Sequence, residues 1–143
     1  MSTVLRAVLD TNVVIAAHRT QQPSSPNAEI LSRWEAGEFT VLHTPDVLLE
    51  YAEKLIALGV EASVAQRFIA RMIRLSEAVW IEFFHLRHYP VDADDVAFLL
   101  CALNGDATHL VTYDPHLSEL QPHYALSICA PLSFLAAVRA MSR

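Results

Sequence analysis

Short runs of aliphatic and β-branched residues alternate with longer helical patterns, and this alternation constrains the fold more than any other feature of the sequence. The predicted strands are residues 3–9, 39–43, 109–112 and 126–128, with a further candidate at 79–83. The predicted helices cover residues 27–36, 45–58, 61–78, 94–104 and 131–141. Strands that alternate with helices are typical of a mainly parallel sheet covered on both faces. The sequence therefore predicts an α/β fold, a three-layer α/β/α sandwich.

The length and composition fit one domain of this kind. The chain has 143 residues, of which 53% are hydrophobic and 18% are charged, with only 3 glycines. These values exclude disordered and collagen-like proteins, and the longest apolar run, residues 96–103, is too short to cross a membrane. We therefore expect a single domain over residues 1–143, with no signal peptide and no membrane partner. Cys101 and Cys129 lack metal-ligand spacing, which predicts buried, reduced thiols in a cytoplasmic protein.

The net charge of −6 argues against a passive nucleic-acid-binding protein. It does not exclude a nuclease, because a divalent cation held by acidic residues lowers the negative charge that a substrate phosphate meets. No P-loop and no Gly-rich dinucleotide fingerprint follows any predicted strand, so a nucleotide-binding function is not indicated.

Acidic residues follow the predicted strands. Asp10 ends the first strand, Asp114 lies just beyond residues 109–112, and Glu50 falls in the second turn of the helix after residues 39–43. Ligands of open parallel sheets bind beyond the carboxyl ends of the strands, so these three acids can converge at one edge. Asp95 opens a helix, and the sequence does not fix the side of the sheet to which it belongs. Oxygen ligands without His or Cys favour Mg²⁺ or Mn²⁺ over zinc.

At these residues the chain resembles the PIN-domain ribonucleases. The similarity is found in VLDTNVVI at residues 8–15, in VLLEYAEKL at 47–55 and in VDADDVAFLLCALNGDATHLVTYDPHL at 91–117. It covers essentially the whole chain, with the elements in the family's order, and extends to the branch that supplies the toxins of bacterial toxin–antitoxin pairs. The resemblance implies a PIN-like fold and Mg²⁺- or Mn²⁺-dependent cleavage of single-stranded RNA.

The resemblance also assigns a site and partners. The residues that match the family's catalytic positions are Asp10, Asn12, Glu50, Asp95, Thr112 and Asp114. Among these, Asp10, Asp95 and Asp114 are expected to bind the metal ion, and Glu50 to orient the attacking water. The expected partners are RNA, an antitoxin protein and a second copy of the chain. For the homodimer, which the apolar content also favours, the candidate surface residues are Tyr51, Phe68 and Met72.

The chain departs from the family pattern at two positions. Thr108 stands where the family often has Asp, and Tyr113 stands where Gly usually lies between Thr and Asp. The ring of Tyr113 has two expected roles, which are to narrow the mouth of the site or to stack on a base. Neither departure removes one of the four acids.

Several of these residues also have ordinary structural interpretations. Asp10 can cap a helix, and Glu50 can form a surface ion pair with Lys54 four residues later. Asp92 is the favoured cap of the helix that begins near Asp94, and Asp94 either supports the site or is solvated. Asp114 can mark only a turn.

One basic stripe and one alternative function remain open. Arg67, Arg71 and Arg74 lie at helical spacing beside an apolar face, where they either form a solvated flank or contact an RNA backbone. A PIN-like module that binds RNA or protein without cleaving it is the alternative to a nuclease. The presence of all four acids favours the nuclease.

Overall fold

All strands of the sheet run parallel, and the first strand lies at its centre. The computed structural model describes residues 4–141, in which the sheet has five strands in the order β3-β2-β1-β4-β5. The strands are β1 (Arg6–Leu9), β2 (Thr40–His43), β3 (Glu77–Ala78), β4 (His109–Val111) and β5 (Ser127–Cys129). Because the strands are parallel, their carboxyl ends all meet at one edge of the sheet.

Seven α-helices connect and cover these strands in the described part of the chain. They are α1 (Thr11–Arg19), α2 (Pro26–Glu35), α3 (Pro45–Ala57), α4 (Ala62–Leu75), α5 (Asp95–Asn104), α6 (Pro115–Ser118) and α7 (Pro131–Met141). Helix α5 packs on β1, β2 and β4, whereas α7 packs on β4 and on α2. The predicted α/β sandwich with a parallel sheet is confirmed.

Helix α5 illustrates how the sequence specifies burial. Its apolar residues surround the helix instead of forming one stripe, as expected for a helix covered on most sides. Phe98, Leu99, Cys101 and Ala102 are each at most 1% exposed. The predicted buried helix is therefore confirmed, and it fixes the position of Asp95 at its first turn.

The third strand differs most from its prediction. Residues 79–83 were expected to form it, but β3 covers only Glu77–Ala78, with one further ladder hydrogen bond from the Val79 amide to His43. The chain then leaves the sheet, because the side chain of Asn104 accepts hydrogen bonds from the Glu82 and Phe83 amides.

Two other local predictions were wrong. Helix α4 ends at Leu75, so it is shorter than the predicted 61–78 segment. Helix α2 begins at Pro26, one residue before the predicted 27–36 segment, and is capped by the side chain of Ser25, which accepts a hydrogen bond from the Ala28 amide. The helix α1 at Thr11–Arg19 was not predicted at all, although its apolar residues Val13, Val14 and Ile15 are buried.

The residues proposed as exposed apolar surface lie in the core. Tyr51, Phe68 and Met72 are each 0% exposed. The apolar stripe of α3 faces that of α4, and the Tyr51 and Phe68 rings lie 5.9 Å apart. The prediction that these three side chains form a dimer surface was therefore wrong.

Two simpler expectations have clear outcomes. Between residues 4 and 141 no helix combines the length and the apolar character needed to span a bilayer.

Cys101 and Cys129 are both free thiols, of which Cys101 is buried and Cys129 is only half-buried. Burial raises the pKa of the Cys101 thiol to about 12, so this thiol stays protonated at neutral pH.

Candidate active site

Asp10 marks the end of β1 and the beginning of α1. Its backbone is extended, as is typical of a helix N-cap, and its side-chain Oδ1 accepts a hydrogen bond of 2.8 Å from the Thr11 amide. The carboxylate is only 4% exposed. Burial raises its pKa, and the charges of Asp114 and Asp92 act in the same direction. The capping interpretation is thus correct, but it leaves a buried charge surrounded by other acids.

Thr112 connects this carboxylate to the neighbouring strand end. Its hydroxyl donates to Oδ2 of Asp10 at 2.7 Å and accepts from the amide of Asp114 at 2.9 Å. Thr112 is 2% exposed, and its own amide donates to the carbonyl of Cys129 on β5. A side chain held in this way fixes both acids relative to each other. Asp114 in turn caps α6, because its Oδ1 accepts from the His116 amide.

Asp95 reaches the same group of acids from α5. It is 7% exposed. Burial, the charge of Asp10 and the close approach of the Asp114 carboxyl raise its pKa to about 7. Its Oδ2 atom is buried and has no hydrogen-bond partner within residues 4–141. A buried carboxylate oxygen without a partner is costly, so this atom favours the binding of a proton or a cation.

Glu50 approaches the cleft from the second turn of α3. Its carboxyl is half-buried, and its pKa is raised by burial and by the charge of Asp94, against the opposing effect of Lys54. Lys54 is close enough to act on Glu50, but no ion pair between them is formed within 4.0 Å in the described structure. The surface ion pair expected as an alternative is therefore not present.

Helix α3 is held against β1 by a buried hydroxyl. The phenol of Tyr51 donates a hydrogen bond to the carbonyl of Leu9, the residue before Asp10. The Tyr51 ring also lies 5.9 Å from the ring of Phe98 on α5. These contacts fix the three elements that carry Asp10, Glu50 and Asp95.

A cleft of about 330 Å³ brings these residues together. Its acidic lining residues are Asp10, Glu50, Asp92, Asp94, Asp95 and Asp114, and its other polar lining residues are Thr11, Asn12 and Lys54. No group of three His, Cys, Asp or Glu side chains between residues 4 and 141 has the arrangement of a ready-made metal site. An ion would therefore have to draw these carboxylates closer together. Their oxygen donors suit a hard divalent cation.

The structure thus brings together most of the predicted site. Asp10, Asn12, Glu50, Asp95 and Asp114 all line the cleft, and Thr112 lies behind it as the partner of Asp10. The side of the sheet to which Asp95 belongs, which the sequence left open, is the side of the other acids.

The neighbours of Asp95 have separate roles. Asp92 and Asp94 are exposed and also line the cleft. Asp94 occupies the N-cap position of α5 without a capping hydrogen bond, whereas the Asp92 carboxylate accepts from the Asp94 amide at 2.9 Å. Asp92 therefore closes the turn before the helix, although it is not the N-cap residue that was expected.

The predicted arginine stripe lies elsewhere. None of Arg67, Arg71 and Arg74 lines the acidic cleft. Arg71 pairs with Glu35 at 3.3 Å and lies 5.9 Å from the ring of Phe68. Contact of this stripe with RNA stays a prediction.

Both departures from the family pattern have structural explanations. Thr108 accepts a hydrogen bond from the Arg6 amide and donates one to the Arg6 carbonyl, so it joins β1 to the start of β4 at the edge opposite the acids. The hydroxyl of Tyr113 contacts the side-chain amide of Asn27 on α2. Tyr113 is not among the residues that line the cleft, and both of its expected roles, narrowing the mouth of the site and stacking on a base, stay predictions.

A family model described as a PIN domain matches residues 6–116, which include all six of the predicted site residues. Among proteins of curated function, none matches the chain.

Two solved structures share the fold. The VapBC2 complex of Rickettsia felis, bound to a DNA fragment from its promoter, contains a chain that is 15% identical, with a TM-score of 0.58 over 87% of this chain and 97% of the other. VapBC-1 from nontypeable Haemophilus influenzae contains a chain that is also 15% identical, with a TM-score of 0.60 over 90% of this chain and 99% of the other. At an identity of 15%, the similarity to these two structures is evidence for a shared fold alone.

Proposed function

Because the chain belongs to the PIN-domain family, we propose that it is a metal-dependent endoribonuclease that cleaves single-stranded RNA. The observation that carries the proposal is the buried, partnerless Oδ2 atom of Asp95 in a cleft lined by six carboxylates. Such a concentration of negative charge destabilises the fold unless a cation is bound. A purely structural or scaffolding role gives no reason for it.

In this proposal Asp10, Asp95 and Asp114 hold Mg²⁺ or Mn²⁺. The bound ion supplies a polarised water and stabilises charge on the phosphoryl group. Thr112 keeps the Asp10 carboxylate in place and orients the turn that carries Asp114. Asn12 lies exposed in the cleft, where its amide can donate to a phosphate oxygen.

Glu50 is the residue that orients the attacking water. Its half-buried carboxyl has a raised pKa, which increases its affinity for a proton. A general base works best when its pKa is not far below the working pH, because it then binds the proton that it removes. The water oxygen that attacks the phosphorus atom loses this proton to Glu50 as the new P–O bond forms. The bond to the leaving ribose oxygen breaks, and that oxygen keeps the electron pair and takes a proton from solvent water.

We further propose that the protein is the toxin of a toxin–antitoxin pair and that an antitoxin protein restrains it. The two structures of similar fold are VapBC complexes, which supports a partner of this kind. An antitoxin arginine can pair bidentately with the carboxylates of the cleft and take the place of the cation.

A homodimer is part of the same proposal, with a surface different from the one predicted. Helices α3 and α4 leave an apolar groove of about 450 Å³ between them. Ile56 is 50% exposed and Ile73 is 63% exposed on this groove. A light-scattering mass close to that of one chain would refute the dimer.

The experiment that tests the nuclease is cleavage of a mixed-sequence, single-stranded RNA by the purified protein during titration with Mn²⁺. We expect cleavage that EDTA abolishes. Expression of the chain alone then tests the toxin: growth arrest is expected, and Asp95→Asn should relieve it. Normal growth with abundant folded wild-type protein would favour a nuclease without an inhibitor, whereas RNA binding without cleavage would favour the non-catalytic module.

A further inference from the structure

Helix α3 brings one positively charged side chain to the acidic cleft. Lys54 lies one helical turn after Glu50 and is the only lysine of the chain, because every other basic residue among its 10 Lys and Arg residues is arginine. Among the described residues that line the cleft, it is the only cation beside six carboxylates. The position of this single lysine is therefore a specific feature of the site.

The ammonium group of Lys54 is available to a ligand. Within residues 4–141, the five ion pairs closer than 4.0 Å are all made by arginine, and none includes Lys54. The side chain is also exposed. A long, unpaired side chain of this kind keeps its rotational freedom until a counter-ion fixes it.

The chemistry of the cleft indicates which ligand this is. RNA enters as a chain of negative phosphates, which six carboxylates repel even when one divalent ion is bound. A lysine ammonium is a compact point charge with three donors, and it binds phosphate well. An arginine in its place would compete by pairing bidentately with the neighbouring carboxylates. Ala57 and Leu58 line the cleft together with Lys54 and carry no charge that competes for an anion.

We propose that Lys54 binds a backbone phosphate of the RNA in the cleft. The step of four residues from Glu50 to Lys54 places Lys54 ~6 Å further along the axis of α3. It therefore contacts the substrate beside the carboxylate group without taking part in metal binding. This inference rests on the proposed nuclease function.

Three variants test the role of Lys54 in catalysis. Lys54→Met removes the charge and keeps the length and helix propensity, Lys54→Arg restores the charge, and Arg87→Met removes one exposed positive charge outside the cleft. For Lys54→Met we expect kcat/KM on a single-stranded RNA to fall ~10- to 100-fold, which is the size of one charge-assisted hydrogen bond. The slope of log(kcat/KM) against log[salt] should become shallower by ~0.7, because one phosphate contact is lost.

The other variants and readouts separate this role from a structural one. Lys54→Arg should restore the salt slope but only part of the activity, because its guanidinium also pairs with the neighbouring carboxylates. Arg87→Met should resemble the wild type, and Mn²⁺ affinity should not fall in Lys54→Met. An unchanged kcat/KM and salt slope in Lys54→Met would overturn the proposal. A shifted pH profile with an unchanged salt slope would also overturn it, since Lys54 would then act only on Glu50.

A second measurement does not depend on cleavage. Lys54 carries the only side-chain amine of the protein, so its acetylation by an amine-reactive reagent can be followed by mass spectrometry. In the Asp10→Asn protein, RNA should protect Lys54 from acetylation, and high salt should remove the protection. Protection without cleavage by the wild type would refute the nuclease but not the phosphate contact. Cleavage by the wild type without protection would refute the phosphate contact alone.

Discussion

The two ends of β1 carry opposite charges and have opposite surroundings. At the amino end, the guanidinium of Arg6 donates to both carboxylate oxygens of Glu77, at 3.0 and 2.5 Å, and to the carbonyl of Gly105 at 2.8 Å. At the carboxyl end, the hydrogen bonds that Asp10 accepts from the described residues 4–141 come only from the neutral groups of Thr11 and Thr112, and the charged groups that shift its pKa are acids. The positive charge at the amino end is paired with an opposite charge, whereas the negative charge at the carboxyl end has, in the described part of the chain, only like charges beside it.

This difference separates stability from function within one short strand. The pairing of Arg6 with Glu77 raises the pKa of the arginine and lowers that of the glutamate, so both charged forms are favoured. At the other end the pKa values of Asp10 and Asp95 are raised, so their charged forms are disfavoured until a cation arrives. In the proposed function this end binds a metal ion, so the unfavourable interactions are kept there and the rest of the fold offsets them.

The largest effect is expected from a neutral residue at the acidic end. Asp10→Asn keeps the shape of the side chain but removes a proposed metal ligand, so Mn²⁺-dependent RNA cleavage should fall by ~10³-fold or more. The melting temperature in EDTA should stay the same or rise, because repulsion with the other acids is relieved.

The matched control for this variant is Asp106→Asn. It makes the same chemical change at an exposed position outside the cleft, where the positive φ of 51° tolerates Asn. The Asp106→Asn protein should cleave RNA at the rate of the wild type. Full activity in Asp10→Asn would mean that the acidic end is not the catalytic end.

An intermediate effect is expected from the residue that positions Asp10. Thr112→Val removes the donor to Asp10 and the acceptor for the Asp114 amide, so Mn²⁺ affinity measured by calorimetry should weaken ~10- to 100-fold. Thr112→Ser retains the hydroxyl and should bind Mn²⁺ nearly as the wild type does. Equal Mn²⁺ affinities of the Thr112→Val and Thr112→Ser proteins would show that the Thr112 hydroxyl does not contribute to metal binding.

A smaller effect, and one on stability alone, is expected at the paired end. Arg6→Gln removes the ion pair and leaves the Gly105 carbonyl without its guanidinium donor, so the free energy of unfolding should fall by ~1–2 kcal/mol. Urea denaturation measures this loss, and cleavage per folded molecule should not change. A loss of activity without a loss of stability would contradict the separation of the two ends.

The smallest effect is the pH dependence of the metal-free protein. The pKa of Asp95 is about 7 in the folded chain against 3.8 ordinarily, so the folded state binds this proton more tightly than the unfolded state. Its stabilising contribution is complete below the lower value and is lost as the pH rises through the higher one. Between about pH 5 and pH 8 the free energy of unfolding in EDTA should fall on the order of 1 kcal/mol from this group.

Two further samples isolate the contribution of Asp95. In Asp95→Asn the decrease in stability with pH should be smaller, since this proton no longer dissociates, and in the wild type saturating Mn²⁺ should remove it. A decrease of the same size in the variant would assign the pH dependence to other groups.

The acidic end could be predicted from the sequence because the position at which each strand ends is a local signal. Asp10 and Asp114 directly follow their strands, so the rule for parallel sheets placed them at one edge. Asp95 could not be placed in the same way, since it begins a helix whose packing depends on the whole core. The raised pKa of Asp95 likewise depends on residues that are distant in the chain.

Prediction from the sequence failed where contacts between residues distant in the chain decide the local structure. Residues 80–83 have the composition of a strand, but the amides of Glu82 and Phe83 donate to the side chain of Asn104 instead of to a neighbouring strand. Tyr51 belongs to a helical stripe, and the pattern alone did not distinguish a stripe that faces another helix from one that faces solvent. Helix α1 was missed because a strand pattern and a helix pattern run together across Asp10.

The central position of β1 also sets the time at which the site can exist during protein synthesis. Asp10 leaves the ribosome early, but Thr112, which holds its carboxylate, lies 102 residues later in the chain. The β4 strand on which β1 pairs is equally distant, so these contacts close a very long loop and form late in folding. On the proposed function, a nascent chain therefore cannot cleave RNA near the ribosome that makes it until most of its sequence has emerged, which leaves time for the proposed antitoxin to meet the finished site.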